Sequence, residues 1–219
     1  MYVHDSPIKI VGDADTDKLN QLFETIKQSF SDKWVRRATN VLMDSSYSIK
    51  AISPSTYDIP DDHTQVELQK LLLPFVNPYV NENEIVIYLD ISSLPPGAKS
   101  LVHIDYLLFH VIAKRIRIPI TTNPNATIAF KTREGIEQFN LKVGHVYETS
   151  NQTLHAAANC GTSDRWHIVA DIIDKDLYAA LVKTNKVYEK AYDPIINFCL
   201  APEIYSEMEK LITRKTTND

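Results

Sequence analysis

The sequence has few of the residues on which several common protein classes depend. Only two of its 219 residues are cysteine, Cys160 and Cys199, and only five are glycine. Two cysteines supply neither a disulfide framework nor a cysteine-rich zinc site, and this usage suits a reducing cytosol. The five glycines are too scattered to form the glycine-rich turn of a Rossmann fold or a phosphate-binding loop. These absences exclude the disulfide-rich secreted, dinucleotide-binding and P-loop classes.

The sequence also lacks a cluster of basic residues and a long apolar run. Its net charge is -5, so the electrostatic footprint of a dedicated nucleic-acid-binding protein is missing. The N-terminal residues MYVHDSPIKIVGDAD lack the pattern of a secretory signal, and no stretch approaches the ~18 apolar residues of a membrane span. We therefore expect a cytoplasmic protein with no nucleic-acid partner and no membrane association.

The first part of the chain has helical patterns and one short strand signal. Apolar residues follow the capping residues Asp15 and Thr16 at helical spacing: Leu19, Leu22, Phe23 and Ile26. A second helix is predicted over Thr64–Leu73, ending before Pro74. The polar stretch from Asp44 to Asp62 between these helices reads as irregular, with a short strand over Tyr47–Ile52.

From Glu84 onward, the chain consists of short β-rich runs separated by proline, glycine and asparagine: EIVIYLDI, SLVHID, RIRIPI, ATIAFKT, QFNLKVGHVYE and RWHIVADII. Their spacing of about ten residues, without helices between them, favours an antiparallel sandwich or jelly roll over a parallel sheet. Pro119 predicts an edge, a bulge or an early strand end. The pattern predicts one domain over 1–219, with a helical or irregular flank at 1–83, a β core at 84–174 and a helical cap at 175–219.

The sharpest chemical signal in the β region is His103-Ile104-Asp105. Residues i and i+2 of a strand project to the same face, so the imidazole and the carboxylate can bind one divalent metal ion. His155 follows fifty residues later, and two histidines with one carboxylate form a facial triad that leaves three metal positions open. Taken alone, the His-x-Asp triplet is also compatible with a surface or capping role.

Arginines in two strands provide candidate anion-binding groups. Arg165 can hold the far carboxylate of 2-oxoglutarate through two charge-assisted hydrogen bonds, or it can pair with Asp171 on its own strand face. Arg115 and Arg117 share one face of RIRIPI, whereas the isoleucines of that strand occupy the other face. These two arginines either meet a cosubstrate or substrate anion inside a barrel, or lie on a solvated sheet face.

Three further residues are weaker candidates. Ser92 can donate a hydrogen bond to a carboxylate or merely begin the loop that follows it. Asn159 can orient a ligand or cap a turn. His167 shares the face of Arg165 and can contact substrate, although a hydrogen-bonded core histidine is the commoner outcome at such a position.

The order of four motifs resembles the aspartyl/asparaginyl β-hydroxylase family of Fe(II)- and 2-oxoglutarate-dependent dioxygenases. The motifs are LPPGAKSLVHIDY, RIRIPITTN, LKVGHVYE and LHAAANCGTSDRWHIVADI, which together run from about Asp90 to Asp171. The resemblance implies a mainly β protein with a double-stranded β-helix core, a jelly roll of the cupin type, flanked by N-terminal and C-terminal helices. It implies Fe(II) binding by His103, Asp105 and His155.

The resemblance also implies binding sites for the cosubstrate and for a substrate. Arg165 occupies the position of the 2-oxoglutarate carboxylate clamp, Arg115 that of a further cosubstrate contact, and Ser92 that of a hydroxyl donor. Arg117 stands where many relatives have histidine, so the contact made there with substrate or cosubstrate differs. A second departure is His145, which replaces the usual acid after glycine.

The activity implied is an oxidoreductase reaction in which O2 and 2-oxoglutarate hydroxylate an amino acid or an amino-acid side chain, with succinate and CO2 as co-products. The substrate is a free amino acid, a peptide or a protein. Two alternatives stay open from the residues alone. One is a metal-dependent hydrolase, because the same ligands can activate water, and the other is a non-catalytic jelly-roll binding module.

Overall fold

The computed structural model describes residues 6–31, 35–36, 43–44, 47–54, 62–100, 102–105, 107–187, 189 and 210. The strands within these residues are, in chain order, β1 (Ile8–Asp13), β2 (Val35–Arg36), β3 (Met43–Asp44), β4 (Tyr47–Ile52), β5 (Glu84–Leu94), β6 (Lys99–Ser100), β7 (Lys114–Thr121), β8 (Ala126–Lys131), β9 (Ile136–Phe139), β10 (His145–Thr149), β11 (His155–Asn159) and β12 (Arg165–Asp174). The helices are α1 (Thr16–Ser29), α2 (Asp62–Val76), α3 (Leu108–Ile112) and α4 (Lys175–Lys183), with a 3-10 turn at Asn77–Tyr79.

The described strands form two antiparallel sheets. The larger sheet has the order β1-β10-β7-β12-β5-β4-β2, and the smaller one has the order β3-β6-β11-β8-β9. Consecutive strands of the chain therefore often lie in different sheets, as in a jelly roll. The structure confirms the predicted mainly β jelly-roll core with helical flanks, and it confirms the short strand at Tyr47–Ile52.

The larger sheet has one apolar and one polar face because side chains alternate along its central strands. Its outer face packs against α1 and α2 in the largest core cluster, to which the central strands contribute Leu89, Ile91, Ile116, Ile118, Ile120, Ile168, Ala170 and Ile172. Its inner face carries the arginines and acids of β5, β7 and β12 and lies toward the smaller sheet. The helices thus cover the apolar face and leave the polar face for a site between the sheets.

The N-terminal helix forms as its spacing predicts. Asp15 is the N-cap, and its Oδ1 accepts hydrogen bonds from the backbone N–H groups of Asp17 and Lys18 at 3.0 and 3.1 Å. These bonds satisfy donors that the first helical turn leaves unpaired. The buried stripe of α1 consists of Leu19, Leu22 and Ile26, which pack into the same core as the outer sheet face.

The end of α2 differs from the prediction, because the helix continues through Pro74 to Val76. Leu68, Leu72 and Val76 recur every four residues and are all fully buried in the core. One further turn therefore buries Val76, and this burial offsets the hydrogen bond that the proline nitrogen cannot donate. The prediction that this helix stops before Pro74 is wrong.

Pro119 lies inside β7, at a point where the ladder is irregular. The register between β12 and β7 shifts between Trp166 and His167, so that Trp166 faces Thr121 and His167 faces Pro119. On its other side, β7 pairs with β10 only over Arg115–Arg117. The bulge expected from a proline within a strand is thus confirmed.

Part of the predicted flanks lies outside the described residues. The C-terminal cap begins with α4, whereas residues 190–209 and 211–219 are not described. No helix in the described part of the chain is both long and apolar enough to cross a membrane.

Candidate metal centre and anion pocket

Backbone pairing brings the two predicted metal-binding histidines together. The N–H of His103 donates to the carbonyl of His155 at 2.9 Å, and the N–H of His155 donates to the carbonyl of His103 at 2.8 Å. Residues that exchange both bonds across an antiparallel pair lie directly opposite each other. Their imidazole rings are 4.4 Å apart between centroids. A separation of 52 residues in sequence is therefore closed by one antiparallel bridge.

Asp105 completes the group, and each member offers one ligand atom within 4.8 Å of the others. Its Oδ1 lies 3.9 Å from His103 Nε2, and its Oδ2 lies 4.0 Å from His155 Nε2. Two imidazoles and a carboxylate at this spacing can hold a divalent metal ion on one side and leave other coordination positions open. We refer to His103, Asp105 and His155 as the metal triad.

The surroundings of His155 prepare it to bind a metal. Its Nδ1 lies 2.8 Å from the carbonyl oxygen of Thr153, and since a carbonyl only accepts, Nδ1 must donate. Nε2 then carries the free lone pair toward the triad. Burial, followed by the neighbouring His103, lowers the pKa of His155 to about 3, so the ring is neutral at physiological pH.

Asp105 is held as a carboxylate by an arginine. Burial would raise the pKa of Asp105, but the charge of Arg115, with smaller contributions from His155 and His110, lowers it below the ordinary value. Arg115 Nη1 donates to Asp105 Oδ2 at 2.5 Å. The ligand that must be ionised to bind a metal is therefore ionised in the folded protein.

A cavity of about 140 Å³ opens beside the metal triad, between the two sheets. Seven of the nine site residues expected from sequence line it: Ser92, His103, Asp105, Arg115, Arg117, His155 and Arg165. The larger sheet contributes the serine and the arginines, and the smaller sheet contributes His155. The structure thus brings most of the predicted residues to one place, although their roles stay predictions.

Arg165 lies at the head of β12 and is only 8% exposed. Its Nε has no hydrogen-bond partner among the described residues. Asp171 does not neutralise it, because both oxygens of Asp171 accept from Arg115. Burial, and then the charge of Arg117, lowers the pKa of Arg165 to about 9. A buried cation with an unused donor is a group that an anion would stabilise.

Arg117 is the second basic group of the cavity. Its Nε donates to Thr149 Oγ1 at 3.2 Å. Burial and then the charge of Arg115 lower the pKa of Arg117 to about 10. The alternation predicted for RIRIPI is confirmed, because both arginines point into the cavity while Ile116, Ile118 and Ile120 enter the core behind the sheet.

The structure places His167 and Asn159 outside the cavity lining. His167 is 1% exposed, and neither ring nitrogen has a hydrogen-bond partner among the described residues. Burial, followed by the charges of Arg165 and Arg117, moves its pKa well below the ordinary value. His167 is thus a neutral imidazole on the inner sheet face, beside Arg165.

The amide of Asn159 organises a loop. Its Nδ2 donates to the carbonyl oxygens of Leu94 and Ser163 at 2.7 and 2.8 Å, and its Oδ1 accepts from Asn123 Nδ2 and from the N–H of Gly161. Leu94 is the last residue of β5, and the other partners belong to the connections that follow β7 and β11. The contacts fit the turn-capping alternative better than a ligand contact.

Sequence reasoning missed the acids that complete the polar face. Tyr88 donates to Asp90 Oδ2 at 2.6 Å, and both line the cavity with Ser92. The alternation Tyr88, Asp90, Ser92 along β5 is a signal that could have found them, because residues two apart share a face. The pairing of Asp171 with Arg115 is a cross-strand contact and has no such local signal.

No protein-family model and no curated protein matches the chain. Solved structures do match its fold. A prolyl hydroxylase from Trichoplax adhaerens, solved with a peptide fragment of the oxygen degradation domain of hypoxia inducible factor, superposes with a TM-score of 0.53 at 11% identity, over 80% of this chain and 86% of its own. SnoN, a non-heme α-ketoglutarate-dependent epimerase from nogalamycin biosynthesis, gives 0.53 at 12% identity, over 78% and 77%.

A third match is HygX from Streptomyces hygroscopicus, solved with nickel and 2-oxoglutarate bound. It superposes with a TM-score of 0.50 at 9% identity, over 78% of this chain and 84% of its own. None of these three is an aspartyl/asparaginyl β-hydroxylase. At such identities the likeness defines the fold, which is a jelly roll that this chain shares with oxygenases dependent on Fe(II) or 2-oxoglutarate.

Proposed function

We propose that the protein is an Fe(II)- and 2-oxoglutarate-dependent dioxygenase. The observation that carries the proposal is the placement of two incomplete binding groups in one small cavity. The metal triad offers three ligand atoms with no protein ligand opposite them among the described residues, and Arg165 offers a buried, unused guanidinium donor. A 2-oxo dicarboxylic acid would suit both groups, because it has a 2-oxoacid end for a metal held by the triad and a second carboxylate for Arg165.

The donor set fits ferrous iron on chemical grounds. Two neutral imidazoles and one carboxylate with open positions form the ligand arrangement of non-haem iron oxygenases. His103, Asp105 and His155 would hold the metal, and Arg165 would hold the far carboxylate of 2-oxoglutarate. When bound, Fe(II), 2-oxoglutarate and O2 together supply the oxidising power for C–H hydroxylation, with succinate and CO2 as co-products.

The chain's own residues orient and enclose that chemistry. Thr153 fixes the ring of His155 through its Nδ1. The planar fork of Arg165 can bind a carboxylate in two parallel hydrogen bonds, which a lysine cannot do. Ser92, on the strand paired with β12, is available as a further donor to the same carboxylate. Burial of the arginines strengthens each of these contacts relative to water.

For the substrate we propose an amino acid, or an amino-acid side chain in a peptide or protein, that becomes hydroxylated. The motif order that resembles the aspartyl/asparaginyl β-hydroxylases supports this choice, as does the peptide bound by the Trichoplax adhaerens prolyl hydroxylase. Arg117, which lines the cavity, would contact substrate or cosubstrate. A metal-dependent hydrolase leaves the buried charge of Arg165 without a ligand, which favours the oxygenase.

The test is an anaerobic titration of Fe(II)-loaded protein with 2-oxoglutarate, followed by visible absorption. The wild-type protein should develop the weak charge-transfer band of a 2-oxoacid chelated to ferrous iron, and H103A should not bind iron. R165A should retain iron but require much more 2-oxoglutarate. R133A removes an exposed arginine of a turn outside the cavity and serves as the control. Iron-loaded wild-type protein without the band would refute the proposal.

A further inference from the structure

Asp171 is a fully buried carboxylate that does not line the cavity. Hydrogen bonds through Arg115 connect it to Asp105 of the metal triad. Its Oδ1 accepts from Arg115 Nε at 2.7 Å, and its Oδ2 accepts from Arg115 Nη2 at 2.8 Å. His110 Nδ1 also contacts Oδ2. The two oxygens of Asp171 thus hold one edge of the guanidinium in the bidentate geometry that fixes its plane.

The opposite side of the same guanidinium contacts a metal ligand. Arg115 Nη1 donates to Asp105 Oδ2 at 2.5 Å. Asp171 and Arg115 are direct cross-strand partners in β12 and β7. The paired strands therefore fix the position of the carboxylate relative to the guanidinium. Asp105 follows His103 in a connection with little regular structure. The position of its carboxylate therefore depends on this contact more than on its own backbone.

We infer that Asp171, assisted by His110, is a positioning residue for the metal centre. It holds Arg115 against Asp105 Oδ2, which leaves Oδ1 as the oxygen that would bind a metal ion. Single-oxygen binding preserves an open coordination position that a chelating carboxylate would fill. The inference rests on the proposed metal site and goes beyond it, because it assigns a role to Asp171, which belongs neither to the metal triad nor to the cavity lining.

The same contacts bear on the role expected for Arg115. Three of its five N–H donors are used by Asp105 and Asp171. Burial would lower the pKa of Arg115, but these two carboxylates raise it above the ordinary value. Arg115 therefore acts mainly between two carboxylates of the protein, whereas Arg165 keeps donor capacity for a cosubstrate.

Cobalt binding tests the inference without requiring turnover. Apo protein is titrated with Co(II), and the d–d absorption reports coordination number and geometry. We expect D171N to weaken Co(II) binding roughly 10- to 100-fold, the range for residues that orient metal ligands. Its d–d spectrum should also change, because a released Asp105 can chelate with both oxygens. H110Q should show a smaller loss in the same direction.

E84Q is the matched control. It removes the carboxylate of another ion pair made by β7, in which Lys114 Nζ lies 2.8 Å from Glu84 Oε2. Both side chains are half-buried and lie outside the cavity lining. E84Q should bind Co(II) as the wild type does. If folded D171N has the affinity and spectrum of the wild type, the inference is overturned. If D171N does not fold, an H110Q protein with unaltered affinity and spectrum overturns it.

The outcomes separate this inference from the proposed function. Wild-type protein that binds Co(II) but forms no succinate from 2-oxoglutarate when loaded with Fe(II) would refute the oxygenase, while the spectral change in D171N would still support positioning. Succinate formation together with an unchanged D171N spectrum would leave the oxygenase standing and refute positioning. Wild-type protein that binds no Co(II) refutes both.

Discussion

Replacing Arg165 by methionine is expected to stabilise the ligand-free protein while abolishing its response to 2-oxoglutarate. Arg165 is buried, its Nε is unpartnered among the described residues, and burial and then the charge of Arg117 lower its pKa from the ordinary value to about 9. The folded state therefore disfavours this charge relative to the unfolded chain. Methionine retains an unbranched apolar stem of similar length and removes the charge.

The size of the effect follows from the same quantities. Each pKa unit corresponds to about 1.4 kcal/mol, so the shift sets an upper limit of several kcal/mol. Relaxation and lost packing of the arginine stem reduce this, and we expect a net gain of about 2 kcal/mol. For a protein of this size, 1 kcal/mol moves the Tm by about 2–4 °C, so R165M should melt roughly 4–8 °C higher.

The ligand response should change in the opposite direction. Two charge-assisted hydrogen bonds, each contributing about 1.5–3 kcal/mol, are lost with the guanidinium. A loss of about 3–6 kcal/mol raises the Kd for 2-oxoglutarate by roughly 10²- to 10⁴-fold. Added 2-oxoglutarate with Mn(II) should then raise the Tm of the wild type but not that of R165M.

R115M provides a control whose stability should change in the opposite direction. The same substitution at Arg115 leaves Asp105 and Asp171 without their shared cation, and breaking a buried pair in this way costs about 3–5 kcal/mol. The assay is differential scanning calorimetry of both variants and the wild type at pH 7.5. If R165M melts below the wild type, as R115M should, then Arg165 is neutralised within the folded protein and the reasoning is refuted.

Three other predictions follow from burial and charge. Because the pKa of His167 lies well below the ordinary 6.5, the unfolded chain binds a proton below that pH that the folded chain does not, so stability falls as the pH drops. Below pH 6, the free energy of unfolding of H167L, measured with urea, should therefore fall by about 1.4 kcal/mol less per pH unit than that of the wild type. Equal slopes of this free energy against pH would contradict the prediction. I118A, in the core behind the site, should cost about 2–5 kcal/mol of stability while leaving the Kd for 2-oxoglutarate unchanged; a large rise in Kd would show that the core and the site are coupled. Mn(II) should raise the affinity for 2-oxoglutarate, and 2-oxoglutarate should raise the affinity for Mn(II) by the same factor in calorimetric titrations, whereas independent binding would exclude a shared cavity.

Local periodicity was sufficient to predict most of the fold. The alternation of RIRIPI separated the arginines of β7 from its isoleucines, and the structure places the two sets on opposite faces of the sheet. Asp15 followed by helically spaced leucines predicted α1 and its cap. These features are set by residues within a few positions of one another, which is why sequence alone reveals them.

Features that depend on the register between strands could not be predicted from the sequence. The pairing of Asp171 with Arg115 requires β12 and β7 to be neighbours in one particular alignment, and nothing local in either strand specifies it. The bridge between His103 and His155 is of the same kind, and here it was only the type and order of the residues that suggested a common site. The continuation of α2 past Pro74 depended on a core position for Val76 that tertiary packing alone defines.

The buried charges of the site are unevenly distributed along the inner face of the larger sheet. Asp105 and Asp171 share one guanidinium, so the end of the cavity at the metal triad has an excess of negative charge. Arg165 lies at the head of β12, six residues before Asp171, and burial together with the charge of Arg117 lowers its pKa. Asp90 offsets only a small part of the charge of Arg117. A divalent cation suits the first end and a carboxylate the second, and a ligand that carries one group to each end removes both imbalances together. The unfavourable burial of Arg165 in the free protein would thus favour a ligand that has a second carboxylate, as the proposed cosubstrate does.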